Sequence, residues 1–376
     1  MGSSNVAGDD ADPTRTPSTS GRGVNLGPVL EDTPPRLRFT VGPCPQKFAL
    51  ADAPGFISSI NDALVRHADA QVDSLEISLV FGAPFQLYLP SIGGYAREHP
   101  HAELIEAEHV RGWLRYGMAR AAKSFILVVP PCPPPPTTTI RRQGSGREAA
   151  AAEAENEGMA LELPASAIAA TMALTLGNAT LTLPAPADAS FHALTELLLS
   201  HARIDDWDRL SKLLSSPSFP CLKRLRLEYL VGVVELELGV DELEELTIVG
   251  SRDLRCLVVN ALCLRTLCVT DCSSLESDKG ELAISAPALE VLICSNMCMF
   301  QGLQFDAPSV REIGKLPLWT HGHRHQVGRN EASIWIMKHC TAAHRLNLHL
   351  HVPQFMRDYL VVRLQSIQVW WIMRAY

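Results

Sequence analysis

Four cysteines fall between positions 256 and 272, and three of them, Cys263, Cys268 and Cys272, lie inside the ten residues CLRTLCVTDC, with Cys256 just before. Thiolates at this density can hold a zinc ion or close a disulfide cluster. A second candidate is HGHRH, in which His321, His323 and His325 alternate, with His339, Cys340 and His344 following. On an extended strand alternate residues share a face, and neutral imidazole is a good zinc ligand. That stretch supplies no fourth ligand at a known spacing, and Gly322 and Arg324 read as a solvated connector, so a surface loop is expected there. His349 and His351 alternate in the same way and are expected beside solvent or backbone. The phrases G-x-S-x-G, H-E-x-x-H, G-x-x-x-x-G-K-[ST] and G-x-G-x-x-G are absent, so nothing orders the many single acids and histidines into nucleophile, base and orienter. The reading is a non-enzymatic chain without a cofactor or metal, with a metal-dependent enzyme or hydrolase as a distant alternative.

Composition narrows the partners. The 376 residues hold 33 basic and 41 acidic side chains, a net charge of −8. That balance repels phosphate backbones, so no nucleic acid is expected as partner. Ten cysteines are too sparse for a disulfide scaffold, and the opening MGSSNVAGDDADPTRTPSTS has no apolar h-region. Val6 stands where a myristoylation signal after Gly2 needs Ser or Thr. No apolar run of about 18 residues occurs, so no membrane span is expected. A cytoplasmic or nuclear location follows from these readings.

The elements that must position any site come from an internal repeat. The template L-x-x-L-x-L is met by LTELLL from Leu194, LKRLRL from Leu222, LEELTI from Leu243, LRTLCV from Leu264 and LEVLIC from Leu289, and in part by VREIGK from Val310. The starts are 28, 21, 21, 25 and 21 residues apart, the range of leucine-rich repeats. LRCLVV from Leu254 falls between two registers and reads as an irregular or very short unit. Each strand buries positions 4 and 6 in a layer that one repeat cannot complete, so repeats stack. The expected fold is an α/β leucine-rich-repeat solenoid, a curved parallel strand sheet with helices on the convex side. IDDWDRLSKLLSS (204–216) supplies one such helix, with Ile204, Trp207, Leu210, Leu213 and Leu214 on one face. Cys272 then falls eight residues after Leu264, at the Asn/Cys place of the template. Cys268 faces outward, and four strand residues span roughly 13 Å, too far for one tetrahedral zinc. A contact of Cys256 with Cys268 across neighbouring strands keeps a metal or disulfide open.

Along the chain, residues 1–35 are rich in Gly, Pro, Ser, Thr and Asp and are expected to be disordered. Residues 36–129 form an N-terminal repeat-like part: helices are predicted over 54–68 and 101–122 and strands over 74–81 and 124–129. Residues 130–158 open with six prolines in seven positions and continue Ala/Glu-rich, which reads as an insertion or linker, or alternatively as a ligand for a proline-recognition domain. Residues 159–352 form the solenoid proper. Residues 353–376 end on Trp370, Trp371 and no polar cap, an atypical end expected from a truncated or alternatively spliced product.

The stretch FHALTELLLSHARIDDWDRLSKLLSSPSFPCLKRLRLEYL, with SAPALEVLIC and FDAPSVREI after it, resembles the leucine-rich-repeat region of plant F-box proteins of the F-box/LRR, FBD-like type. The resemblance covers about residues 36–352, and its most specific phrase is A-P-x-L-E-x-L before a strand. It implies a protein-recognition module, the substrate-binding half of a ubiquitin-ligase receptor. In intact members an F-box joins that half to the adaptor subunit of a cullin-type ubiquitin ligase. Residues 1–35 contain no helical period and no tryptophan, the first being Trp113, so the F-box is expected to be missing and the adaptor contact with it. The alternative is a truncated remnant or competitor that binds the target without recruiting a ligase.

Binding by a solenoid falls to the exposed, concave face of its strand sheet. Positions 3, 5 and 7 of each repeat point there, which selects Glu196, Leu198 and Ser200; Arg224, Arg226 and Glu228; Glu245, Thr247 and Val249; Thr266, Cys268 and Thr270; and Val291, Ile293 and Ser295. The face is expected to run from charged to apolar and to meet an unidentified target protein, with Glu196, Arg224, Arg226, Glu228, Glu245, Thr247, Thr266, Thr270, Val291 and Ile293 as its contact residues.

Overall fold

A computed structural model describes residues 35–40, 53–79, 105–130, 159–215, 217–251, 253–272, 280–295, 300–319 and 331–351. The expected disordered segment 1–35 (all but Pro35), the proline-rich tract (all but Pro130), the HGHRH stretch and the atypical end 353–376 lie outside the described residues.

The chain begins as strand–helix coils: β1 (Arg36–Thr40), α1 (Ala53–Arg66), β2 (Val72–Ser78), α2 (Ala107–Arg120) and β3 (Ala121–Val129). Short β4 (Ala160–Glu162) pairs with long β5 (Thr171–Thr182), and β6 (Glu196–Arg203) precedes α3 (Trp207–Leu214). Strands then follow one another: β7 (Arg224–Glu228), β8 (Glu235–Gly239), β9 (Glu245–Val249), β10 (Cys256–Asn260), β11 (Thr266–Thr270), β12 (Gly280–Ser285), β13 (Val291–Ser295), β14 (Phe300–Asp306) and β15 (Glu312–Trp319). Helix α4 (Glu331–His339) and β16 (Arg345–His351) close the order.

One long parallel sheet runs β1-β2-β3-β5-β6-β7-β9-β11-β13-β15-β16, with β4 paired to β5, and a second parallel sheet runs β14-β12-β10-β8. From β6 to β16 each coil therefore gives one strand to the long sheet and one element, α3, β8, β10, β12, β14 or α4, to the layer behind it. The first repeat positions Leu194, Leu222, Leu243, Leu264, Leu289 and Val310 are all fully buried. Inward positions such as Leu225, Leu246 and Leu267 share the core with Leu236, Leu257 and Leu282 of the second sheet. This is the leucine-rich-repeat solenoid the periodicity predicts. Helices back the long sheet near its two ends, and between α3 and α4 the backing layer is the second sheet.

That layer corrects the reading of LRCLVV as an irregular unit: it is β10 of the second sheet, with Leu254, Leu257 and Val259 in the core. A strand facing the same core from behind carries the same period, which is why the template occurs in both sheets.

Helix α3 is shorter than the predicted 204–216, starting at Trp207 and ending at Leu214. Asp206 caps it by accepting from the Arg209 N–H at 2.9 Å, and Leu210, Leu213 and Leu214 face the core. Helix α2 is shorter than predicted because the chain passes straight from Arg120 into β3, with Ala121 fully buried. Several residues take left-handed φ: His201 at 51° within β6, and Tyr229 at 53°, Gly250 at 68° and Asp271 at 55° just past the ends of β7, β9 and β11. The ladders place these four side by side as one rim of the long sheet. No helix among the described residues is long and apolar enough to cross a membrane.

Candidate functional site

The outward residues of the long sheet fall into rows fixed by the parallel register. One row reads Ser124, Thr171, Glu196, Arg224, Glu245, Thr266, Val291 from β3 to β13. The next reads Ile126, Ala173, Leu198, Arg226, Thr247, Cys268, Ile293. A third holds Thr175, Ser200, Glu228, Val249, Thr270 and Ser295.

The first two rows line a groove of about 390 Å³ across β3, β5, β6, β7 and β9. Its one side is apolar and hydroxylic, from Ile126, Ala173, Leu198, Ser124 and Thr171; its other side carries Arg224, Arg226, Glu245 and Thr247, with Glu196 between. Ion pairs order the charged side. Arg224 Nη2 donates to Glu196 Oε1, and that contact, with the nearby Glu245 carboxylate, holds the guanidinium's pKa up. Arg226 donates through Nε at 3.2 Å and Nη2 at 2.5 Å to Glu228 Oε1. Two arginines two residues apart on one strand are thus each held by a carboxylate, with 50% and 59% of their side chains exposed. The Glu245 carboxylate makes no ion pair among the described residues.

The structure brings Glu196, Arg224, Arg226, Glu245 and Thr247 together at the groove. Glu228 stands beside it as the anchor of Arg226, while Thr266, Val291 and Ile293 continue the rows half-buried beyond it. Thr270 is a correction: it is only 8% exposed, as Ser200 is only 3%. Both sit in the third row, immediately before the left-handed residues Asp271, just past β11, and His201, within β6. Ser200 also exchanges a hydrogen bond with Thr175, Oγ to Oγ1 at 2.8 Å.

Ser124, Ile126, Thr171 and Ala173 escaped the sequence reading. The same period-two rule applied to SFILVV and TMALTL finds them, but the β5 coil opens on Ala169 and Met172 in place of two leucines, both buried, so the L-x-x-L-x-L template passes over it. The expected gradient from charged to apolar is also incomplete: the charged patch has apolar ground on both sides, Leu198 to Ile126 one way and Cys268 to Ile293 the other.

The cysteines divide between the layers. Cys256 lies in the second sheet, in register between Glu235 and Glu281, whereas Cys268 lies on the outward face of the long sheet between Thr247 and Ile293. The hydrophobic core separates them, so they form no metal site or disulfide, and both are free thiols. Cys272 takes the Asn/Cys place, with Sγ 3.3 Å from the Thr270 carbonyl. Burial pushes its pKa up to about 12, against the opposing pull of the Ser251 and Gly250 N–H groups. Cys340 is buried, with its pKa raised to about 11. His339 stacks on Trp335 with ring centroids 3.8 Å apart, and His344 is exposed. Among the described residues no three His, Cys, Asp or Glu side chains converge on a point that would hold a metal ion.

Residues 153–315 match the family model of the LRR repeats of FBD-associated F-box protein At5g56370. The F-box/FBD/LRR-repeat protein At4g03220 of Arabidopsis thaliana is 31% identical over 115 residues, which are 31% of this chain and 23% of that protein's length. No solved structure matches the chain.

Proposed function

We propose, from the premise that residues 153–315 carry leucine-rich repeats of the FBD-associated F-box kind, that the chain is a non-enzymatic recognition module binding a target protein across the outward face of its long sheet. The groove over β3, β5, β6, β7 and β9 carries this reading. It is the place where apolar ground and fixed charges adjoin on a rigid ladder, so burial supplies affinity and the charges select. The second sheet presents Glu235, Glu237, Asn260 and Glu281 to solvent, with Cys256, Val258 and Ala283 half-buried among them.

Within this reading the chain serves as the substrate-binding half of a ubiquitin-ligase receptor in the cytoplasm or nucleus. The competing role is a target-binding competitor that recruits no ligase. Site-specific photo-crosslinking in plant-cell extract tests the recognition face. A crosslinker at Thr247 or Thr171 is expected to trap a partner that one at Ala283, on the second sheet, does not. Trapping from Ala283 alone overturns the assignment. Probing the same captures for the cullin-ligase adaptor separates the two roles: adaptor together with target supports the receptor, and target without adaptor supports the competitor.

A further inference from the structure

The groove has an unequal charge account. Arg224 is held by Glu196 and Arg226 by Glu228, which leaves the exposed carboxylate of Glu245 as the one groove charge with no ion pair among the described residues. An anionic group entering here would have to draw an arginine away from its carboxylate and would meet Glu245 as well. A cationic group meets a carboxylate that neighbours Arg224 without pairing to it, and the three carboxylates of Glu196, Glu228 and Glu245 outnumber the two arginines, so the charge favours it.

The apolar side sets a second requirement. Ile126, Ala173 and Leu198 sit on adjacent strands in one row, half-buried and open to the groove, and take an aliphatic side chain. Glu245 lies two strands from Leu198 and two residues further back along the strand direction. With about 4.8 Å between strands and about 3.3 Å per strand residue, the two points are roughly 12 Å apart. An extended peptide covers that in about four residues, a spacing that also returns both side chains to one face.

We propose that the groove takes an extended segment of the partner carrying an aliphatic residue and a lysine or arginine four positions apart. The aliphatic side chain lies on Ile126, Ala173 and Leu198, and the cation pairs with Glu245. This rests on the outward face being the binding face, and the test separates the two. A phage-displayed random dodecapeptide library is selected on the full chain and on three variants at exposed or half-buried positions, Glu245→Lys, Leu198→Asp and, on the second sheet, Glu281→Lys, each checked for folding by circular dichroism. Peptides enriched on the wild-type chain are expected to carry the aliphatic and basic pair at that spacing. Glu245→Lys should deplete them about tenfold, because an exposed attraction becomes a repulsion of similar size, and should enrich an acidic residue in the basic position. Leu198→Asp should deplete them too, and Glu281→Lys should not. Acidic residues enriched on the wild-type chain, an unchanged profile on Glu245→Lys, or no enrichment at all overturns the inference. Enrichment lost on Glu281→Lys and kept on both groove variants overturns the recognition face itself.

Discussion

Strand β8 is an edge strand, and α3 stands where its next neighbour would be. Ser211 Oγ accepts from the Glu237 N–H at 3.2 Å and donates to the Glu235 carbonyl at 3.4 Å. Ser215, one turn on, accepts from the Gly239 N–H at 3.1 Å and donates to the Glu237 carbonyl at 2.9 Å. Two hydroxyls thus close four edge groups that would otherwise invite another strand. Ser211 is buried and Ser215 exposed, so their loss should not cost the same. Ser211→Ala strands the Glu237 N–H where water enters poorly, at about 2 kcal/mol. Alanine returns about 0.5 kcal/mol of helix propensity, for a net loss of roughly 1.5 kcal/mol. Ser215→Ala exposes its partners to water and should cost about 0.5 kcal/mol or less. Stacked repeats can unfold in parts, so a global midpoint blurs a local change, and amide exchange by NMR is the sharper assay. Exchange at Glu237 should accelerate about tenfold in Ser211→Ala, each 1.4 kcal/mol being one decade, and the response to Ser215→Ala should be confined to Gly239. Equal costs for the two variants, or no change at either amide, would refute the claim that burial of a serine cap sets the stability of this edge.

Three further outcomes follow from the same geometry. A Cβ on Gly250, at φ +68°, would lie 2.4 Å from Tyr229 Cδ1, so Gly250→Ala should lower stability by about 1–2 kcal/mol for the left-handed backbone alone and more for the displaced ring. The double variant with Tyr229→Ala should then lose less than the sum in thermal denaturation. Native-state alkylation at pH 8 mapped by mass spectrometry should label the exposed Cys221 and Cys263 before Cys272, Cys294 and Cys340, whose burial both shields the thiols and raises their pKa values. Burial holds the pKa of His201 below its usual 6.5, partly countered by the Glu228 carboxylate. The unfolded chain therefore binds more protons than the folded one between that lowered value and 6.5, and stability falls as pH drops through this window. Urea midpoints at pH 7.5 and 5.5 should differ less in His201→Gln than in the wild type.

Burial made most of the fold legible. The inward positions of each repeat are fixed by a core they cannot leave, so Leu222, Leu225 and Leu227 announce their strand in any context. The face was legible only in part, because its rows depend on register. Glu196, Arg224 and Glu245 stand 28 and 21 residues apart, and nothing local marks them as neighbours until the ladder aligns them. Thr270 shows the opposite failure: strand alternation alone turns it outward, but the left-handed turn at Asp271 belongs to the coil that follows, and strand alternation does not register it. The cysteine cluster misled for a related reason, since proximity in sequence crosses from one layer to the other between Cys256 and Cys268.

The choice of backing element bears on coil length. A five-residue strand rises about 16 Å, and a helix of the same height needs about 11 residues at 1.5 Å each. A coil backed by a strand can therefore be about six residues shorter than one backed by a full-height helix. The 28-residue coil from Leu194 carries α3, whereas the 21-residue coils from Leu222 and Leu243 carry β8 and β10. Helix α3 has eight residues against five in β8 and β10, so it accounts for about three of the seven extra residues and the connections around it for the rest. The 25-residue coil from Leu264 also carries a strand, β12, so along this run the helix belongs to the longest coil alone. The coils from Leu222, Leu243, Leu264 and Leu289 all place a strand, β8, β10, β12 or β14, where the coil from Leu194 places α3, and the edge exposed where helix gives way to strand is the one Ser211 and Ser215 close.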